Sequence, residues 1–117
     1  MPHFVIEFSR SVENRYDVSE IMEVAFDAGV SSSIMKAEDI KVRAIAYDHF
    51  RLDGGMTSFF HLGAYLLAGR TPQQKEHFST LIRSRLADHF PAIESISIDI
   101  RDMDPIAYKK RLLTDED

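Results

Sequence analysis

The chain has 117 residues, of which 44% are hydrophobic, and this length fits a single domain that buries one core. Its 14 Lys and Arg against 19 Asp and Glu give a net charge of −5, which argues against nucleic acid as a partner. No cysteine is present, so the chain offers no disulfide framework, thiolate nucleophile or zinc–thiolate site.

The N-terminal stretch MPHFVIEFS predicts a first strand that begins with proline directly after the initiator methionine. Proline at this position costs at most one ladder hydrogen bond, because it lacks a backbone N–H. If Met1 is removed, Pro2 becomes a free secondary amine beside an apolar core, and is then a candidate base. The stretch has no signal-peptide pattern, and no apolar run in the chain approaches the ~18 residues that span a bilayer. We therefore expect a soluble cytoplasmic protein without a membrane partner.

The first helix is predicted to begin at Asp17, which can cap it, with Glu20 three residues later able to reach back to the cap. Gly29 and the serines that follow it predict the end of this helix. One apolar stripe at helical spacing lies between them: Val18, Ile21, Met22, Ala25 and Phe26.

A long second strand is predicted from Ile40 to Leu52, because this segment is rich in β-branched and aromatic residues. Asp53-Gly54-Gly55 behind it predicts a tight hairpin turn, since glycine readily adopts positive φ. The nearly continuous apolar run from Ser58 to Gly69 predicts a third strand in the centre of a sheet.

The second helix has the clearest local signal in the chain. Thr71 can cap it, Pro72 fits its first position and Gln74 completes a capping box. Pro91 predicts its end. The alternating stretch from Ser95 to Ile100 then predicts a fourth strand with its isoleucines on one face.

This order of elements predicts an α+β fold, in which two βαβ units form one four-stranded mixed sheet with both helices on one face. The halves span about 1–53 and 56–104 of a single domain, 1–117. The other face of the sheet also carries apolar side chains, so we expect copies of the chain to cover it.

A C-terminal tail, residues 105–117, follows the fourth strand and is expected to dock on a neighbour through its apolar residues. Lys109-Lys110-Arg111 within it is predicted to be a solvated patch. The apolar residues of the tail are Ile106, Tyr108, Leu112 and Leu113.

Cations are predicted to lie near Pro2, at the strand ends where neighbouring loops meet. Arg70 ends the third strand directly before the capped helix, and Lys41 and Arg43 start the second strand on one shared face. Such cations can bind a substrate carboxylate and stabilise an enolate as charge develops. Together with burial they also keep an amine neutral. His3 is expected on the face opposite Pro2, in packing or hydrogen bonding.

A metal site is not predicted, because the other histidines show no i, i+4 pairing and no cysteine partner. Glycine-rich phosphate loops are also missing, since Gly54-Gly55 falls in a predicted hairpin.

The opening PHF on a strand, the two βαβ halves and the Ala68-Gly69-Arg70 step into a capped helix resemble the 5-carboxymethyl-2-hydroxymuconate isomerase family of the tautomerase superfamily. The resemblance runs from Pro2 to about Pro105. It implies a cofactor-free isomerase whose mature N-terminal proline shuttles a proton along a dienol or unconjugated ketone. It also implies a homotrimer, in which three sheets form a central barrel wrapped by helices.

Under this resemblance Pro2 matches the catalytic proline, and Arg70 matches one of the arginines that bind substrate carboxylates. The second arginine falls on Lys41, so either Lys41 or Arg43 takes that role. Lysine supplies the positive charge without the bidentate fork of arginine. This difference therefore bears on which substrate is bound more than on which reaction is catalysed.

Two functions remain open from the sequence. The first is a cofactor-independent isomerase acting on an unsaturated hydroxy- or keto-dicarboxylate of aromatic catabolism, such as 5-carboxymethyl-2-hydroxymuconate. The second is a non-catalytic ferredoxin-like module that assembles through its sheets and binds a ligand or partner, in which the terminal amine has no role.

Overall fold

The computed structural model describes residues 1–112 and contains four strands, two α-helices and two short 3-10 helices. Within these residues, no helix has the length and apolar character required to cross a bilayer. The elements in chain order are β1 (His3–Ser9), a 3-10 helix (Arg10–Asn14), α1 (Val18–Ser31), a 3-10 helix (Ala37–Asp39), β2 (Lys41–Tyr47), β3 (Phe59–Leu67), α2 (Pro72–His89) and β4 (Ser95–Met103).

The strands form one 4-stranded mixed sheet in the order β2-β1-β3-β4. β1 is parallel to β2 and antiparallel to β3, and β3 is parallel to β4. Each half of the chain is therefore a βαβ unit, and the two units meet where β1 pairs with β3. The predicted fold is confirmed, as is the central position of β3.

The core lies between the sheet and the two helices. Phe4, Ile6 and Phe8 alternate along β1 and are buried, as expected for one face of a strand. The ring of Phe4 stacks on Phe78 of α2 with centroids 5.5 Å apart. The same ring lies against Gly29 of α1, where an added Cβ would come within 2.9 Å of it. Both helices therefore cover the same face of the sheet.

The two helix starts are capped by the predicted residues, with one difference. The Thr71 hydroxyl accepts from Gln74 N at 3.1 Å and Gln74 Oε1 accepts from Thr71 N at 2.8 Å, which confirms the capping box. Asp17 caps α1, but its carboxylate accepts from the backbone N and hydroxyl of Ser19. The expected return contact of Glu20 does not form within residues 1–112.

The predicted second strand is too long, and the predicted hairpin is wrong. β2 ends at Tyr47, so residues 48–58 are a connection rather than strand. Gly54 and Gly55 do have positive φ, 71° and 81°. However, β1 lies between β2 and β3, so the chain must cross two strand spacings of about 4.8 Å each. A tight hairpin turn cannot bridge that distance.

The sheet face away from the helices mixes exposed apolar and polar side chains. Ile45, Tyr47 and Tyr65 are exposed there. The Tyr47 hydroxyl donates to the carboxylate of Glu7 on the neighbouring strand. This face, which we call the open face, is therefore less uniformly apolar than the sequence predicts.

The C-terminal segment, residues 104–112, returns to the open face of its own chain. The Tyr108 hydroxyl lies 2.9 Å from His3 Nε2, and the two rings meet edge to face with centroids 5.8 Å apart. Ile106 and Leu112 are exposed, at 80% and 57%. Leu113, also predicted to dock, lies outside the described residues.

Candidate active site

Pro2 lies directly before β1, at the end of the sheet where β1 begins. Its side chain is fully buried, and its carbonyl accepts a hydrogen bond from Lys41 N at 3.0 Å. In the antiparallel pairing of β1 with β3, His3 lies opposite Tyr65, so the start of β1 adjoins the end of β3. The topology therefore brings the first residues of the chain close to the segment that carries Arg70.

Arg70 is held by backbone carbonyl groups. Its Nε and Nη2 donate to Ile34 O at 3.1 and 2.9 Å, and its Nη1 donates to Leu67 O at 3.0 Å. Ile34 follows Ser33, whose φ of 65° turns the backbone at the end of α1. A guanidinium carries five N–H donors, so two remain for another acceptor. Arg70 is thus a cation whose orientation is set by the fold.

Lys41 and Arg43 lie at the start of β2 on the open face. In the parallel pairing Lys41 lies beside His3 and Arg43 beside Val5. Arg43 Nη1 donates to His3 Nδ1 at 3.2 Å. The side chain of Arg43 is therefore hydrogen-bonded to His3. The backbone N of Lys41, in contrast, is hydrogen-bonded to the carbonyl of Pro2.

His3 links Arg43 to the C-terminal segment. Arginine can only donate, so His3 Nδ1 accepts and its Nε2 carries the proton that is donated to the Tyr108 hydroxyl oxygen. Partial burial lowers the pKa of His3, and the positive charges of Arg43 and Lys41 lower it further. His3 is therefore held neutral in a hydrogen-bonded position, which confirms its expected role.

The surroundings of the chain start favour a neutral amine. Desolvation lowers the pKa of the terminal ammonium on Met1, and Asp39 opposes this by raising it. The positive charges of Arg70, Lys41 and Lys110 lower the pKa further. An amine placed here therefore gives up its proton more readily than an amine in water.

Lys110 was not predicted as a site residue. The sequence predicts that it belongs to a solvated patch, and it is indeed exposed. Its Nζ also lies 4.0 Å from Met1 Sδ. No local signal marks it, because its position depends on the contact between Tyr108 and His3, which are 105 residues apart in the chain. The backbone carbonyl of Ile34, which orients Arg70, was missed for a similar reason, since every residue has such a group.

Two surface cavities lie away from Pro2. One of about 380 Å³ lies where β1 ends and β3 and β4 begin, and it is lined by residues that include Tyr16, Ser58 and Glu94. The other, of about 570 Å³, lies beside the end of α2 near Arg83 and Pro91. Neither is lined by a predicted site residue. Residues 1–112 also contain no group of three His, Asp or Glu side chains that could hold a metal ion.

Comparisons with known proteins agree with this fold. A family model described as 5-carboxymethyl-2-hydroxymuconate isomerase matches residues 2–111. Among curated proteins, none matches the chain significantly in sequence.

Solved structures share the fold over nearly the whole chain. A 5-carboxymethyl-2-hydroxymuconate delta-isomerase is 17% identical with a TM-score of 0.80, and the alignment covers 96% of this chain and 88% of that chain. A 5-carboxymethyl-2-hydroxymuconate isomerase from Deinococcus radiodurans R1 is 22% identical with a TM-score of 0.81, covering 94% and 88%. A fused 4-OT symmetric trimer is 13% identical with a TM-score of 0.69, covering 87% and 85%.

Proposed function

Because the chain belongs to the 5-carboxymethyl-2-hydroxymuconate isomerase family, we propose that the Pro2 amine of the mature chain is the proton shuttle of its isomerase activity. The proposed substrate is an unsaturated hydroxy- or keto-acid with two or more carboxylates, as in 5-carboxymethyl-2-hydroxymuconate, which has three. The observation that carries the proposal is the full burial of Pro2. It is supported by the desolvation and nearby cations that lower the pKa of the terminal ammonium on Met1, one residue earlier.

The proposed reaction moves one proton and two double bonds. The neutral Pro2 nitrogen accepts the hydroxyl proton of a dienol, and the electron pair of the O–H bond forms the new C=O bond as the C=C bonds shift. The resulting ammonium returns a proton to the far carbon of the conjugated system. Nothing is oxidised or reduced overall, so the reaction requires no redox cofactor. An amine with a pKa near neutrality can act in both steps.

Arg70 and Lys41 have separate proposed roles. Arg70 binds a substrate carboxylate or the developing oxyanion through the two N–H groups that Ile34 and Leu67 leave available. Lys41, rather than Arg43, supplies the second positive charge, since Arg43 is hydrogen-bonded to His3. Its point charge replaces the arginine that the family resemblance places there.

A homotrimer is the proposed assembly. Two of the structures with this fold are fused 4-OT trimers, one symmetric and one asymmetric. The open face carries the exposed side chains of Ile45, Tyr47 and Tyr65, which would be covered when sheets from different copies meet. The two cavities described above lie at the opposite end of the sheet from Pro2. We propose that a neighbouring copy forms a wall of the Pro2 site.

The Pro2 amine is tested by comparing the mature chain, a chain that keeps Met1, and Pro2→Gly with Met1 removed. Intact mass first establishes which residue is terminal in each preparation. We expect the mature chain to isomerise phenylenolpyruvate or a hydroxymuconate. The chain that keeps Met1 should lose nearly all turnover, because its Pro2 nitrogen is an amide. Equal turnover with and without Met1 would contradict the proposal and favour the non-catalytic module.

Arg70 is tested by Arg70→Ala, with Arg51→Ala as the matched control. Arg51 is almost fully exposed and forms an exposed ion pair with Asp53 at 3.4 Å, so its removal should leave kcat/KM unchanged. Arg70→Ala should raise KM and lower kcat, since it removes carboxylate binding and oxyanion stabilisation together. Unchanged kinetics in Arg70→Ala would exclude it from the site.

A further inference from the structure

The C-terminal segment, residues 104–112, has a defined path that ends at the chain start. Asp104 Oδ1 accepts from the backbone N of Ile106 at 2.8 Å and of Ala107 at 3.2 Å, and Tyr108 N donates to Asp104 O at 3.0 Å. This turn reverses the chain directly after β4. It delivers Tyr108 to His3, where the hydroxyl and the imidazole form a hydrogen bond of 2.9 Å.

Lys110, two residues beyond this anchor, reaches the first residue of the chain. Its Nζ lies 4.0 Å from Met1 Sδ. Removal of Met1 therefore opens a space that has the Pro2 nitrogen on one side and the Lys110 ammonium on another. Lys110 also acts on the charge state of the terminal amine in the same direction as Arg70 and Lys41. Three cations, contributed by three separate parts of the chain, thus lie near enough to lower the pKa of the terminal amine.

Three cations exceed what one carboxylate requires. Arg70 with its two available N–H groups can bind one carboxylate, and Lys41 can neutralise the charge that develops on the oxygen of the reacting carbonyl. A further ammonium beside the same space would repel a cation and leave an uncharged group unaffected. It favours a ligand that carries another anionic group at some distance from the first.

We propose that Lys110 is a substrate-binding residue of the Pro2 site, and that the C-terminal segment thereby selects dicarboxylate over monocarboxylate substrates. The proposal rests on the proposed function of Pro2. In it, Lys110 binds the carboxylate remote from the reacting carbonyl. Tyr108 is a positioning residue, because its hydrogen bond to His3 holds the segment in place.

Steady-state kinetics of the mature chain test this with two substrates, phenylenolpyruvate as the monocarboxylate and 2-hydroxymuconate as the dicarboxylate. Lys110→Gln should raise KM for the dicarboxylate about tenfold, the loss of one charge-assisted contact, and leave KM for the monocarboxylate unchanged. Lys109→Gln, which makes the same charge change one residue away, should alter neither. Equal effects on both substrates, or no effect on the dicarboxylate, would overturn the proposal.

Tyr108→Phe gives a second test, since it removes the hydroxyl but keeps the ring. It should raise KM for the dicarboxylate less than Lys110→Gln does, by about threefold, with kcat unchanged. The double variant should have the same KM for the dicarboxylate as Lys110→Gln alone, because both changes act through the same contact. Additive losses in the double variant would show that Tyr108 does not act through Lys110.

Binding of acids that cannot react tests the role of Lys110 independently of the proposed catalytic role of Pro2. By calorimetry, the mature wild type should bind adipate more tightly than hexanoate, and Lys110→Gln should reduce that preference about tenfold. A wild type that binds adipate with this preference but isomerises neither substrate would refute the proposed function alone. A wild type that isomerises phenylenolpyruvate without preferring adipate would refute the role of Lys110 alone.

Discussion

The Arg70 side chain is oriented by the backbone before any ligand is present. Its three contacts go to the carbonyl groups of Ile34, in the loop after α1, and Leu67, at the end of β3. A guanidinium held in this way loses little further freedom on binding a carboxylate, and this favours affinity. A lysine at the same position could reach at most one of these acceptors well.

Arg70→Lys therefore separates orientation from charge. We expect kcat/KM to fall about tenfold or more although the positive charge is retained, because the planar fork and its fixed direction are lost. Arg51→Lys, at an exposed site, should leave kcat/KM unchanged. Wild-type kinetics in Arg70→Lys would mean that only charge matters at this position.

His3 gives the free energy of unfolding a specific pH dependence. Burial and the charges of Arg43 and Lys41 lower the pKa of His3 in the folded chain, so the unfolded chain takes up a proton at higher pH. This contribution to stability is fully present above about pH 6.5, the ordinary histidine value, and is lost as the pH falls toward the folded pKa.

Urea denaturation at about pH 7.5 and pH 5 measures this contribution. The free energy of unfolding should fall more between these two conditions in the wild type than in His3→Gln, which cannot titrate. His77→Gln, at an exposed position on α2, should keep the wild-type dependence. Identical slopes in the wild type and His3→Gln would contradict the assignment.

Part of the candidate site can be predicted from the sequence, and part cannot. Pro2 and Arg70 stand at recognisable places, a strand start and a strand end before a capped helix. Lys110 cannot be found in this way, because a turn at Asp104 and a distant partner, His3, determine its position. The choice between Lys41 and Arg43 also depends on His3, whose orientation is set only in the sheet.

For the helices and strands too, features set by local contacts could be predicted from the sequence, and features set by distant contacts could not. The cap at Thr71 was predicted with its partner because all of its contacts lie within four residues. The end of β2 at Tyr47 was not, since Phe50 and Leu52 continue an alternating apolar pattern beyond the point where the pairing with β1 ends. Strand pairing therefore decides the boundary, and strand propensity does not.

Helix α1 approaches β1 closely at Gly29. An added Cβ there would meet the Phe4 ring at 2.9 Å and Ile40 Cδ1 at 3.0 Å. Overpacking of a well-filled core costs about 1–3 kcal/mol, against a gain of about 1 kcal/mol in helix propensity for alanine over glycine. Gly29→Ala should therefore lower the free energy of unfolding by up to about 2 kcal/mol.

Chemical denaturation of Gly29→Ala and Asp27→Ala checks this prediction. Asp27 is exposed on the same helix, so its replacement by alanine should be neutral or stabilise by about 0.5 kcal/mol. Stabilisation of Gly29→Ala to the same degree would show that Phe4 and Ile40 move aside without cost.

For the whole molecule, the open face is the surface through which we propose that copies assemble. Ile45 is 57% exposed in the single chain, which is unusual for an isoleucine in the middle of a strand. Its neighbours on that face include the polar pair of Glu7 and Tyr47. A mixed face of this kind suits an interface in which hydrogen bonds accompany apolar contact.

Ile45→Lys should dissociate the proposed trimer, because it places a charge where two sheets would meet without disturbing the helix-covered core. Val30→Lys is the matched control, since Val30 is also an exposed aliphatic residue, at 40%, but lies on α1. Sedimentation should give the monomer mass for Ile45→Lys and the trimer mass for Val30→Lys and the wild type. A single mass for all three would contradict assembly through the open face.

The two ends of the described chain meet at one place, where Lys110 lies against Met1. Recombinant protein should therefore be produced without extra residues at either end. An affinity tag fused ahead of Met1 keeps the Pro2 nitrogen in a peptide bond, so under the proposed function such a preparation would be inactive. A cleavable leader whose protease leaves proline as the new first residue, with no extension after the acidic end, provides material fit for kinetic work.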